Sequence, residues 1–138
     1  MNKVNLLYER ESYLIRGACF DLYKELGCVH KEVVYQRTLF NKLVKNNLNT
    51  QKEVRLPVKA DGQIVGIYNP DFVINNSIII ETKAKNFITQ EDKKQFWHYL
   101  KTTDFKLGFL INFGKPGGVE IVRRVYDTAR DKVPRVSA

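Results

Sequence analysis

Cysteine and histidine are scarce, with two residues each. Cys19 and Cys28 have neither the CxxC spacing of a zinc site nor the density of a disulfide scaffold, so reduced thiols in a cytosolic protein are expected. His30 and His98 lack zinc-ligand spacing and read as packing or surface residues. Long apolar runs are missing. Ile78 to Ile80 is far too short to span a bilayer, and Met1 to Arg10 is too polar and mixed in charge for a signal peptide. A cytoplasmic chain with no membrane partner is therefore expected. No GxSxG elbow supports a serine or cysteine nucleophile. Gly114, Gly117 and Gly118 lack the GK[ST] ending of a P-loop and fit a hairpin turn. Acidic residues are also in deficit, 15 against 23 Lys and Arg, which leaves a net charge of +8. Such a surplus attracts polyanions, of which nucleic acid is the commonest, although it also serves solubility alone.

The 138 residues, 43% of them hydrophobic, suit one domain with one core. The whole chain, 1–138, is taken as that domain, with a basic tail from about residue 126. From Tyr8 to Leu26 the residues Ile15, Ala18, Cys19, Leu22, Tyr23 and Leu26 form one helical apolar stripe, stopped by Gly27. A second helix is expected over Lys31 to Lys45, carrying Glu32 on the same largely buried face as Tyr35, Leu39 and Leu43. Strands follow at Glu53 to Lys59 and Gln63 to Tyr68, joined by the strong hairpin turn Asp61-Gly62. Asn69-Pro70 interrupts, and Asp71 to Ile74 continues in extended form. After the turn Asn75, Asn76 and Ser77, the strand Ile78 to Lys83 starts as though buried on both faces. A helix over Thr89 to Thr102, with Thr89 as N-cap, precedes strands at Lys106 to Asn112 and Val119 to Val125. This order, α-α-β-β-β-α-β-β, fits an α/β fold with a mixed central sheet flanked by helices.

A turn centred on Asn76 sets Asp71 directly opposite Glu81. Like charges facing each other across a sheet are destabilising, and a divalent cation with hard oxygen ligands would resolve the conflict. Lys83, two residues beyond Glu81, points to the same face. Two acids and a lysine suffice to activate water at a metal and to stabilise charge on a phosphoryl group. The backbone carbonyl of Thr82 is a further candidate ligand. The bland alternative, a surface salt bridge, is weakened because the apolar run Ile78 to Ile80 leads straight into these charges.

Pro70-Asp71 followed by Glu81-Thr82-Lys83 resembles the PD-(D/E)xK nuclease signature. Gln95 and Tyr99, at i and i+4 in QFWHY, resemble the QxxxY motif of its RecB-like branch. The order of elements resembles the αβββαβ core of that restriction-endonuclease-like fold, whose first helix supplies a glutamate, here Glu32. More narrowly, GCVHKEVVYQ, LPVKADGQIVGIYNPDFVI, IIIETKAK and LGFLINFG resemble the bacterial GxxExxY family over about Tyr13 to Arg124, with Val29 where that family has its glycine. The resemblance implies a Mg²⁺- or Mn²⁺-dependent nuclease fold; nucleic acid is the expected substrate, DNA ahead of RNA. Asp71, Glu81 and the Thr82 carbonyl would hold the metal, and Glu32 would complete the acidic shell. Lys83 would assist catalysis, Gln95 would orient Lys83 or the phosphate, and Tyr99 would contact the backbone or brace the site.

Lys85, Lys93, Lys94, Lys101, Arg123, Arg124, Arg130, Lys132 and Arg135 are candidate phosphate contacts. Phe87, Phe96 and Trp97 could stack on bases, although core packing is the commoner role. A homodimer is one expectation, since small nucleases often pair to cut two strands. Two rival functions stay open: a non-catalytic nucleic-acid-binding module, and a structural partner domain of a larger assembly.

Overall fold

Five strands form the central sheet of the computed structural model, which describes residues 8–126. The candidate contacts Arg130, Lys132 and Arg135, and nearly all of the expected basic tail, lie outside the described residues. The elements are α1 (Glu9–Leu26), α2 (Glu32–Lys45), β1 (Thr50–Gln51), β2 (Leu56–Ala60), β3 (Gln63–Tyr68), β4 (Phe72–Ile74), β5 (Ile78–Lys83), α3 (Gln90–Thr102), β6 (Leu107–Asn112) and β7 (Glu120–Val125). The central sheet runs β1-β4-β5-β6-β7. Among the described residues only β5 and β6 pair in parallel, and α3 makes the crossover that parallel neighbours require. This is the mixed sheet flanked by helices that the sequence led us to expect, with a restriction-endonuclease-like arrangement.

Each face of β5 has its own cover. Ile78 and Ile80 pack with Ile15, Cys19 and Leu22 of α1 and with Tyr35, Leu39 and Leu43 of α2. Ile79 packs on the other side with Phe96 and Leu100 of α3 and with Tyr68 of β3. Burial on both faces explains the unbroken isoleucine run. Gly108 lets α3 approach the sheet: a Cβ there would stand 2.6 Å from Cζ of Phe96. Thr89 caps α3 in a reciprocal box, its hydroxyl accepting from the Asp92 amide while the Asp92 carboxylate accepts from the Thr89 amide.

Two expectations need correction. The expected strand Glu53 to Lys59 begins only at Leu56, and the earlier pair Thr50–Gln51 joins β4 instead. In addition, β2 and β3 leave the central sheet to form a separate hairpin ribbon. Buried Pro70, which has no N–H to donate, stands at the break between β3 and β4. The hairpin turn at Asp61-Gly62 is as expected, with positive φ at both residues. Among the described residues, no helix is long and apolar enough to cross a membrane.

Candidate active site

The β4–β5 hairpin positions the two central acids. Its register pairs Phe72 with Ile80, Val73 with Ile79 and Ile74 with Ile78, so the next pair outward is Asp71 and Glu81. Asp71 is anchored across the hairpin: its Oδ2 accepts from both the amide and the hydroxyl of Thr82, each at 2.7 Å. Thr82 is itself 1% exposed, which makes this anchor rigid. Glu81 receives a hydrogen bond from the Tyr68 hydroxyl at 2.8 Å. Burial pushes the Glu81 carboxyl up to about 7, and the charge of Asp71 adds to the rise. Tyr68 and Lys83 act against it, while Glu32 adds slightly.

Glu32 is solvent-exposed, not on the buried face assigned from the helical pattern. As the first residue of α2 it lies before the helix settles onto the sheet, whereas Tyr35, Leu39 and Leu43 are 0% exposed. Its Oε2 accepts from Nε2 of Gln36 at 2.9 Å. Partial desolvation raises its carboxyl first and the charge of Asp71 second, with Lys83 opposing. The three acids and Lys83 thus sense one another electrostatically. Among the described residues, however, no group of three or more His, Cys, Asp or Glu side chains is arranged to hold a metal ion.

Glu81 and Lys83 share a tight pocket of about 10 Å³ with Tyr68, Asp92, Gln95 and Tyr99, space for about one water. The expected i, i+4 pair of α3 therefore does face the two β5 residues. Tyr99 stacks on Tyr68, with centroids 3.9 Å apart and planes 5° from parallel. The same buried Tyr68 hydroxyl that reaches Glu81 has its own pKa driven upward, first by burial and then by the Glu81 charge.

A second device fixes the loop that follows Lys83. Asn112 is 0% exposed, and its amide accepts from the Lys85 and Gly114 backbones while donating to the Lys85 carbonyl and to Oε1 of Glu120. The same Glu120 oxygen accepts from the amide of Ile88. Neither Tyr68 nor Asn112 was singled out from the sequence. Tyr68 precedes the Pro70-Asp71 pair by two residues, but its contact with Glu81 exists only because β3 folds back over the sheet. Asn112 carried a weak signal, a polar residue closing an apolar strand.

The basic residues divide. Lys85 is held by Asp92 at 2.8 Å, which makes it part of the α3 cap rather than a free phosphate contact. Lys93, Lys94 and Arg124 line one groove with Trp97, and Nζ of Lys101 lies 5.9 Å from the Trp97 ring. Arg123 lines a different pocket with Arg16. Phe96 is core at 3% exposure, whereas Phe87 is 59% exposed. His30 packs edge-on against Tyr35, and His98 is exposed. Both cysteines are free thiols; burial pushes Cys19 up to about 12 against the charge of Arg16.

The solved structure of SSO0001 resembles this chain with a TM-score of 0.51 at 23% identity, over 70% of this chain and 52% of that one. This chain therefore spans about half the length of SSO0001, and the likeness concerns fold. An alkaline exonuclease from Laribacter hongkongensis, LHK-Exo, aligns with a TM-score of 0.44 at 14% identity, over 95% of this chain and 75% of that one. No curated protein matches the sequence. The family model described as the PD-(D/E)XK nuclease superfamily matches residues 9–125, nearly all of the described structure, and the chain belongs to that superfamily.

Proposed function

We propose that this domain hydrolyses phosphodiester bonds in DNA with the help of Mg²⁺ or Mn²⁺. The observation that carries this reading is the pairing of Asp71 and Glu81 at the end of the β4–β5 hairpin, with Glu81 held up to about 7. An uncompensated pair of acids at a half-buried site is costly, and a divalent cation fits the hard oxygen donors. Asp71, Glu81 and the Thr82 carbonyl would hold it, with Glu32 completing the acidic shell from α2. When bound, such a cation acidifies water and neutralises phosphoryl charge.

The protein's own groups do the rest. Thr82 fixes the Asp71 carboxylate, and Tyr68, stacked on Tyr99, fixes that of Glu81. Lys83 orients the attacking water or meets the charge that develops on the phosphate. Gln95, lining the same pocket, orients Lys83 or a phosphate oxygen. Gln95 and Tyr99 also support membership of the RecB-like branch, and the four GxxExxY-like segments support that narrower family.

The test is incubation with linear and circular DNA, single- and double-stranded, in Mg²⁺, Mn²⁺ or EDTA, beside Asp71→Ala and Lys83→Ala. Metal-dependent cleavage lost in both variants is expected. The lack of a ready group of three metal-binding side chains among the described residues favours one rival, a binding module without chemistry. Binding without cleavage under every metal would select that rival.

A further inference from the structure

On the α2 side of Asp71 a cleft of about 660 Å³ opens, separate from the tight pocket around Glu81 and Lys83. One face of α2 lines it: Val33, Gln36, Arg37, Phe40 and Asn41 recur at i, i+3, i+4, i+7 and i+8. This face is not the one carrying Tyr35, Leu39 and Leu43 into the core. Pro70, Asp71 and Phe72 close the cleft on the catalytic side. Half-buried Phe40, backed at 5.9 Å by the buried Phe72, gives the cleft its ring surface, and Nζ of Lys52 lies 4.3 Å from the Phe40 ring. Arg37 is exposed and has no ion-pair partner among the described residues.

The mixture of groups restricts the ligand. A flat ring system suits the Phe40 ring. The amides of Gln36, Asn41 and Asn69 offer both donors and acceptors, as base edges require. Arg37 and Lys52 suit phosphates. A lipid chain would leave the exposed Arg37 guanidinium without a partner. The volume falls in the range of sites that take one small molecule. A base reaches such a cleft only when it is out of the stack.

We infer that this cleft is a nucleotide subsite, holding the base and sugar of one unpaired nucleotide beside the scissile phosphate, with Arg37 and Lys52 on the neighbouring phosphates. The inference rests on the reading that the domain acts on nucleic acid, but binding to the subsite does not require the chemistry. Asp71, on the wall of the cleft, is also the acid that stands opposite Glu81 at the end of the β4–β5 hairpin, so a strand seated in the cleft lies beside the acid pair. Gln36, which bonds Glu32, ties the subsite to the acidic cluster.

The experiment is fluorescence anisotropy in EDTA with a labelled single-stranded DNA oligonucleotide, its duplex, and the RNA of the same sequence. The wild type is compared with an Arg37→Ala, Asn41→Ala double variant. Lys59→Ala, an exposed cation on the β2–β3 ribbon away from the cleft, controls for loss of charge alone. Arg37 and Asn41 are both exposed, and a circular-dichroism melt checks that the double variant folds. The wild type should prefer the single strand to the duplex, and the double variant should bind it about tenfold more weakly. Lys59→Ala should bind nearly as well as the wild type. Equal losses in the double variant and in Lys59→Ala, equal affinity for duplex and single strand, or no binding to any probe would each overturn the subsite. The expected binding pattern without cleavage under any metal would support the subsite and remove only the nuclease reading.

Discussion

Tyr68 and Tyr99 lie face to face, with ring centroids 3.9 Å apart, and the Tyr68 hydroxyl donates to Glu81 at 2.8 Å. Tyr99 of α3 is thus linked to the acid through a tyrosine of the β2–β3 ribbon. Tyr99→Phe keeps the stack and should retain most cleavage, while Tyr99→Ala should lose much of it. Tyr68→Phe removes a hydrogen bond to a charged group, worth about 1.5–3 kcal/mol, and frees the Glu81 carboxyl to rise further. Its activity should fall about tenfold or more near neutral pH and recover as pH rises. A pH–rate profile of the three variants at limiting metal checks this; a profile unchanged in Tyr68→Phe would sink the idea.

Without metal, the acid pair should cost stability in a defined pH window. The Glu81 carboxyl stands at about 7 in the folded protein against an ordinary 4.5. Between those values the folded state binds more protons than the unfolded chain, so stability falls as pH rises through the window. Thermal melts in EDTA should show this decline. Glu81→Gln should flatten it, raise the melting temperature at neutral pH and abolish cleavage. A neutral-pH melting temperature lower than that of the wild type would contradict the assignment.

The α3 cap makes the opposite prediction at low pH. Burial raises the Asp92 carboxyl, but the Lys85 ion pair and the two Thr89 bonds outweigh it and bring the group down to about 2 from 3.8. The cap's contribution is therefore present above the ordinary value and is lost as pH falls toward about 2. Thr89→Ala should cost about 1 kcal/mol at neutral pH, and Asp92→Asn should remove the acid dependence. Denaturant titrations at both pH extremes measure the two effects.

Asn112→Leu should destabilise by about 2–4 kcal/mol, because it strands the Lys85 backbone and Glu120 partners in a buried site. Gly108→Val should do comparable damage by driving a side chain into Phe96. Chemical denaturation reads both. Asn112→Leu should also lower cleavage more than its stability loss alone implies, since the same network holds the loop after Lys83.

Local pattern was enough to determine the helices, the apolar strands and the Asp71–Glu81 register. Helical stripes and a short hairpin turn are set by neighbours a few residues apart, and strand alternation then carries Lys83 to the same face as Glu81. The family signature lies in those same short segments. Tertiary structure alone decided that β3 leaves the central sheet at Pro70 and brings Tyr68 over Glu81, that Asn112 clamps a loop 27 residues away in sequence, and that Glu32 stays in solvent at the first turn of its helix. It also decided that a second face of α2, beside the one that enters the core, lines a cleft. These contacts join residues whose spacing follows no period. They arise from how sheets and helices stack, which periodicity cannot encode because it describes one element at a time.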